Sequence, residues 1–326
     1  MTIHRRGLNT GVAAAALVSC ALAVSGTFAH GVAFADSAPA LLVGEIPFRL
    51  ERNRTVLPLV VSEAETLDIL LDTGMTWDGV YLFRKEAQRH FPSEDLDSVR
   101  VGGSGSGEPT CALMADSMML RFGSVPLHSQ LVVISQSEIT QGFRSDGVTG
   151  SSLFGSFVVE IDNDAKEIRL HDPESFVADS SWVPVPITLK NGIPFLDGEV
   201  SISGEDPVHL VLYIDSGSGE ALELLVRATM KFAMPESVDV YHVGTGLSGD
   251  VDGKRGRIHL FSFGGFKLHA VPAAFVPAKV RSKQEDADGI IGNNALGRFN
   301  LIFDYSHGLL FLKPSKAFDV PFDMPR

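Results

Sequence analysis

The chain has 326 residues, 44% of them hydrophobic, and a formal net charge of −13 from 27 basic and 40 acidic side chains. That balance argues against nucleic acid or an anionic membrane surface as partner, since both demand clustered Lys and Arg. A chain of this length buries most of the surface its unfolded form exposes and divides naturally into two lobes.

His4-Arg5-Arg6 opens a basic head, Gly11 to Ala29 forms an apolar run, and Ala33-Phe34-Ala35 supplies a small-x-small site. This order predicts an export signal over residues 1–35, cut before Asp36, that delivers the protein to the periplasm or the medium. Ser19 and Gly26 within the run and His30 just after it weaken a transmembrane reading. Leu17-Val18-Ser19-Cys20 resembles a lipoprotein cleavage box, the one route by which Cys20 would tie the protein to a membrane; the apolar residues after it favour plain export. Removing residues 1–35, which carry two arginines and no acid, takes the charge from −13 to −15. Cys111 is then the only cysteine, so no internal disulfide forms, and it reads as a small buried apolar residue.

Leu67 to Asp78 runs Leu-Asp-Ile-Leu-Leu-Asp-Thr-Gly-Met-Thr-Trp-Asp, and Val208 to Glu220 runs Val-His-Leu-Val-Leu-Tyr-Ile-Asp-Ser-Gly-Ser-Gly-Glu. In both, an alternating apolar strand delivers an aspartate, Asp72 or Asp215, into a hydroxyl residue and a glycine. The surroundings repeat in register. Ile46-Pro47-Phe48 precedes the first copy and Ile193-Pro194-Phe195 the second. Phe-Gly-x-x-x-Leu-His follows as Phe122 to His128 and as Phe263 to His269, then Asp146-Gly147-Val148-Thr149-Gly150 and Asp288-Gly289-Ile290-Ile291-Gly292. This pattern reads as an internal duplication.

The expected division is a first lobe over 40–172, a polar, proline-bounded exposed linker over 173–184, a second lobe over 185–318 and a tail over 319–326. Short β-branched and aromatic runs, such as Leu57 to Val61, Leu131 to Ile134 and Phe299 to Phe303, predict mainly-β architecture. Short helices are expected near Leu82 to His90, near Leu222 to Phe232, and after Gly150 and Gly292.

An aspartate ending a hydrophobic strand is costly to ionise without compensation. If a pseudo-twofold axis relates the lobes, Asp72 and Asp215 meet on it and share a proton. Glycines after each acid let backbone N–H groups approach the carboxylates, and the hydroxyls of Thr73 and Ser216 can tie the loops together.

Carried by these residues, the chain resembles two retropepsin-type aspartic protease units fused into a pepsin-like bilobal protein. The resemblance runs from Ile46-Pro47-Phe48 to Lys313-Pro314 and rests on Asp72-Thr73-Gly74 with Val148-Thr149-Gly150 and on Asp215-Ser216-Gly217 with Ile290-Ile291-Gly292. It implies a mainly-β bilobal fold and an exported, monomeric endopeptidase acting on peptide or protein, with Asp72 and Asp215 catalytic and no metal or cofactor. Thr73, Gly74, Thr76, Ser216, Gly217 and Ser218 would support the loops. The glycine-rich stretches at Gly102, Gly103 and Gly105 and at Gly244 and Gly246 are candidate flaps; plain mobile hairpins are the other reading. Met75 stands where the family carries Ser, Thr or Ala, and Thr149 where it carries an aliphatic residue. A non-catalytic protein that holds peptides between the lobes is therefore the alternative.

Other groups read as structural. Asp146 and Asp288 sit in repeated glycine-flanked turns, which fits turn formation better than a glycosidase pair. His128 and His269 have no neighbouring ligand spacing and read as exposed strand residues. The glycine-rich stretches lack the Lys-Ser/Thr of a phosphate loop, and no serine has the strand-to-helix setting of a nucleophile elbow.

Overall fold

The structure, a computed structural model, describes residues 2–5, 41–62, 65–91, 96–105, 107–280 and 286–323. The apolar run, the Ala33-Phe34-Ala35 site and Cys20 lie outside these residues. Thr2–Arg5, part of the basic head, is a strand paired with Asp97–Gly102. Among the described residues no helix is long and apolar enough to cross a membrane.

The molecule is mainly β, in two lobes joined by a shared sheet. In the first lobe the strand Glu65–Leu71 lies between Arg54–Ser62 and Gly147–Thr149, and the order continues through Gly79–Leu82, Val125–Ser135, Thr110–Phe122 and Asp97–Gly102. In the second, Val208–Asp215 lies between Ile193–Ser201 and Gly289–Gly292, continuing through Leu222–Val226, Phe266–Pro277, Gly249–Phe263 and Asp239–Gly246. The orders correspond strand for strand. In each lobe the aspartate strand runs parallel to the short glycine-bounded strand, which in turn runs antiparallel to the strand after the aspartate loop. The repeated Phe-Gly motifs form matching hairpin turns, with Gly123 and Gly264 at φ +57° and +56°, a conformation that glycine adopts without a Cβ penalty.

Alternation decides which faces pack. Leu67, Ile69 and Leu71 in the first lobe and Leu210, Leu212 and Ile214 in the second are buried in one continuous core that spans both lobes. A six-stranded sheet closes the molecule beneath them, in the order Val183–Pro186, Leu309–Pro314, Phe299–Asp304, Val158–Asp162, Glu167–His171, Leu42–Pro47. It takes strands from both ends of the sequence, so the halves cannot separate without breaking a ladder.

Three expectations need correction. The segment from Leu222 is a strand, Leu222–Val226, and not a helix. Both its faces are covered, Leu222 and Leu224 by the main core and Leu225 by a second cluster, so the sequence reads as an apolar run without period 2. Near Leu82 to His90 the short helix is present but starts later and is of 3₁₀ type: the strand Gly79–Leu82 comes first, then two turns of 3₁₀ helix, Lys85–His90. Cys111 is exposed, because it falls on the outward side of the Thr110–Phe122 strand, next to the buried Ala112. The connector is also less open than its composition implies. Ala178 and Trp182 are buried, Lys313 caps the Trp182 ring, and Val183 and Pro184 pair in the shared sheet. Short helices do follow Gly150 and Gly292, as Ser151–Phe154 and Asn293–Leu296. The tail is anchored where the Arg298 guanidinium lies 3.8 Å over the Phe322 ring.

Candidate active site

Each aspartate strand is an inner strand of its sheet, and Asp72, just past the end of Glu65–Leu71, and Asp215, the last residue of Val208–Asp215, stand at the strand ends where the two loops meet. Thr73 and Ser216 interlock there. The Thr73 N–H donates to Ser216 Oγ (3.1 Å) and the Ser216 N–H to Thr73 Oγ1 (3.1 Å). The Thr73 hydroxyl donates to the Ile214 carbonyl (2.7 Å) and the Ser216 hydroxyl to the Leu71 carbonyl (2.9 Å). Both side chains are 2% exposed, so water does not compete for these four bonds.

Each acid is partly buried and held by the backbone that follows it. The Gly74 N–H donates to Asp72 Oδ1 at 2.7 Å, and the Ser218 N–H to Asp215 Oδ1 at 3.0 Å. The Asp72 carboxyl leans onto the opposite loop: a Cβ on Gly217 would sit 2.8 Å from Asp72 Cγ, closer than carbon atoms pack. Gly217 thus admits the first acid to the second acid's turn.

Below the loops, the Asp72 N–H donates to the Thr149 carbonyl, while Ser151 N–H and Asn293 N–H donate to the carbonyls of Met75 and Ser218. These matching bonds make Met75 and Ser218 structural equivalents. Met75 is 2% exposed in an apolar cluster with Tyr81 and Val148. Ser218 instead donates from Oγ to Glu223 Oε1 at 2.8 Å. Thr149 keeps its polar character because its hydroxyl donates to the Gly79 carbonyl (2.8 Å). Thr76 packs against the turn at Gly192 and makes no hydrogen bond among the described residues, so it does not support the Asp72 loop directly.

The two glycine-rich segments touch. The Ser248 N–H donates to the Ser104 carbonyl (2.8 Å), the Gly103 N–H to Ser248 Oγ (3.2 Å) and the Gly107 N–H to the Ser248 carbonyl (2.6 Å). Gly102 and Gly244 lie in the strands leading to these tips, Gly105 packs on the Ser248 backbone, and Gly246 packs on Ser104. Leu247 reaches across to the cluster that contains Met75.

Sequence reading passed over several groups. Tyr305, at the end of Phe299–Asp304, stacks on Phe154 (5.6 Å) and helps line a cavity of about 330 Å³ with Thr73, Met75, Leu189 and Gly192. Among the described residues its phenol has no hydrogen-bond partner; burial, aided by the Asp72 charge, pushes its ionisation far above the ordinary range. Behind Asp215, Arg255 (4% exposed side chain) pairs with Glu220 at 2.5 Å and with the Tyr241 hydroxyl. Burial first, then the Glu220 charge, pushes the Tyr241 phenol up to about 12. Glu220 and Glu223 were legible as two acids inside an apolar segment, but reading that segment as a helix gave Glu223 no buried face.

Asp146 and Asp288 have backbone roles: their Oδ2 atoms accept the N–H of Asp68 and of Val211, both at 2.9 Å, and Arg84 and Lys231 balance their charge. His128 and His269 are exposed in their strands. Among the described residues no three His, Cys, Asp or Glu side chains gather closely enough to hold a metal ion.

The fold has a solved counterpart. The chain is similar to the crystal structure of an aspartic proteinase from Irpex lacteus, with a TM-score of 0.53 at 14% sequence identity, covering 85% of this chain and 98% of that one. At that identity the likeness shows the fold alone, a bilobal pepsin-like one. No family model matches the chain, and no curated protein matches it.

Proposed function

We propose that the protein is an exported, monomeric aspartic endopeptidase, with Asp72 and Asp215 as its catalytic pair. The observation that carries this reading is the reciprocal grip of Thr73 and Ser216, which fixes two acid-bearing loops tip to tip with the Asp72 carboxyl against Gly217. Two carboxyls so placed resist double ionisation and hold one proton between them. The charged member takes a proton from a water as that water attacks the scissile carbonyl, and the protonated member donates to the carbonyl oxygen. The resulting diol collapses as the C–N bond breaks and a proton passes to the leaving amine. No covalent intermediate is required. The joined tips at Ser104 and Ser248 would part to admit a peptide and close over it.

The test is hydrolysis of denatured casein by residues 36–326 across acidic to neutral pH. Acid-favoured cleavage, blocked by a statine-type peptide and lost in Asp72→Asn and in Asp215→Asn, is expected; cleavage that survives both substitutions refutes the assignment. The second reading, a non-catalytic peptide holder, draws on Met75, which offers Asp72 no side-chain donor where Ser218 stands beside Asp215. Retention of the statine peptide with no turnover at any pH would favour it.

A further inference from the structure

The two aspartate loops share a trace and differ in what backs them. Strand pairing sets Tyr81 opposite Val148 in the first lobe and Glu223 opposite Ile290 in the second, so Tyr81 and Glu223 are equivalents, as are Met75 and Ser218. One acid therefore rests on a Met–Tyr layer and the other on a Ser–Glu layer. Glu223 is 1% exposed, on the sheet face it shares with Arg255; both residues pair with Ala274, one from either side.

Ser218 links Glu223 to Asp215. Its N–H donates to Asp215 Oδ1 (3.0 Å), its Oγ accepts the Glu220 N–H (3.3 Å), and its one hydroxyl proton is donated to Glu223 Oε1 (2.8 Å). A serine hydroxyl has a single proton to give. While Glu223 is ionised, that proton points away from Asp215. Once Glu223 is protonated, its own O–H donates to Ser218 Oγ, and the serine proton is free to turn toward the Asp215 carboxylate.

Resting on the peptidase reading of the site, we infer that Glu223 is a positioning residue for Asp215, switching a hydrogen bond from Ser218 onto that acid according to its own charge. On its sheet face Glu223 has Tyr213 beyond Ile290 on one side and Arg255 beyond Ala274 on the other; on the loop stand Asp215 and Glu220, the latter paired with Arg255 and the Tyr241 hydroxyl, and Arg54 reaches the turn at Gly219 from the first lobe. Two carboxyls and Arg255 back the turn, so ionising both Glu220 and Glu223 adds negative charge beside Asp215. Removing the Glu223 charge makes the pair release its last proton more easily.

Glu223→Gln tests this. The alkaline limb of the kcat/KM profile should move about one pH unit toward acid, which is roughly a tenfold loss on that limb with KM little changed. A merely structural role would lower the whole profile evenly. A readout free of turnover is carboxyl ¹³C NMR of aspartate-labelled protein, with the Asp215 signal assigned through Asp215→Asn. Its midpoint should fall by a similar amount in E223Q, and by less than half as much when Ser218→Ala is also present. An unmoved midpoint overturns the inference whether or not the protein cleaves peptides, whereas a shifted midpoint in a protein without turnover upholds the coupling and sinks only the peptidase reading. Should E223Q not fold, S218A alone is decisive: with Glu223 ionised the serine proton already points away from Asp215, so the Asp215 midpoint should stay where it is in the wild type, and a clear rise there, which would put that donor on Asp215 all along, overturns the inference.

Discussion

Thr73→Val removes one hydroxyl and keeps the side chain's shape, so its effect isolates the grip between the lobes. In the native protein that hydroxyl donates to the Ile214 carbonyl and accepts the Ser216 N–H, with Thr73 and Ser216 each 2% exposed. The valine leaves both backbone groups buried and unpaired, at about 1–3 kcal/mol each, or roughly 2–6 kcal/mol together. A native state stable by only about 5–15 kcal/mol loses a large share of its margin. Thr73→Ser keeps the hydroxyl and gives up one methyl, about 1 kcal/mol. Guanidinium unfolding of wild type, T73V, T73S, Ser216→Ala and T73V with S216A measures each cost and their coupling. The double variant should fall short of the sum of the singles by roughly 0.5–3 kcal/mol, as expected within one hydrogen-bond network. A T73V protein within about 0.5 kcal/mol of T73S would refute the argument, because the two orphaned groups would then have found other partners.

Gly217→Ala should leave a folded protein with kcat lowered by about a hundredfold, the scale of a displacement near 1 Å at a reacting group, since the new Cβ falls 2.8 Å from Asp72 Cγ; circular dichroism with casein hydrolysis checks it, and undiminished kcat refutes it. At high pH the tyrosines should destabilise the fold. Tyr241 is raised from 10.0 to about 12, and Tyr81 and Tyr305 are raised too, mainly by burial. The unfolded chain therefore loses these protons first, so the stabilisation is full below pH 10.0 and disappears as pH rises through about 12 for Tyr241. Tyrosinate absorbance should lag that of free tyrosine at about pH 11 and appear with unfolding; Tyr241→Phe should flatten part of that pH dependence, and an unaltered slope would count against the burial argument.

Much of the site could be read from the repeat. Asp72 and Asp215 stood out because alternating strands end on them twice, and Thr73 and Ser216 because a hydroxyl follows each. Thr76, one residue past Met75, lies against the turn at Gly192, a neighbour that the spacing of the motif does not name. Tyr305 was invisible because it is distant in sequence from Asp72 and reaches the loop only through the shared sheet. Glu223 was hidden by a strand covered on both faces, whose apolar run carries no period to separate it from a helix.

Sequence by itself determined the pairing of motifs, the β character of the lobes and which two acids stand at strand ends, since side-chain alternation and glycine turns are local and survive in one dimension. Tertiary structure decided what each acid rests on. Met75 and Ser218 occupy matching places, yet one lies in an apolar layer and the other on a buried carboxyl with an arginine on the same sheet face. That difference comes from strands far apart in the chain meeting around each loop, and only packing in three dimensions sets which neighbours surround a charge.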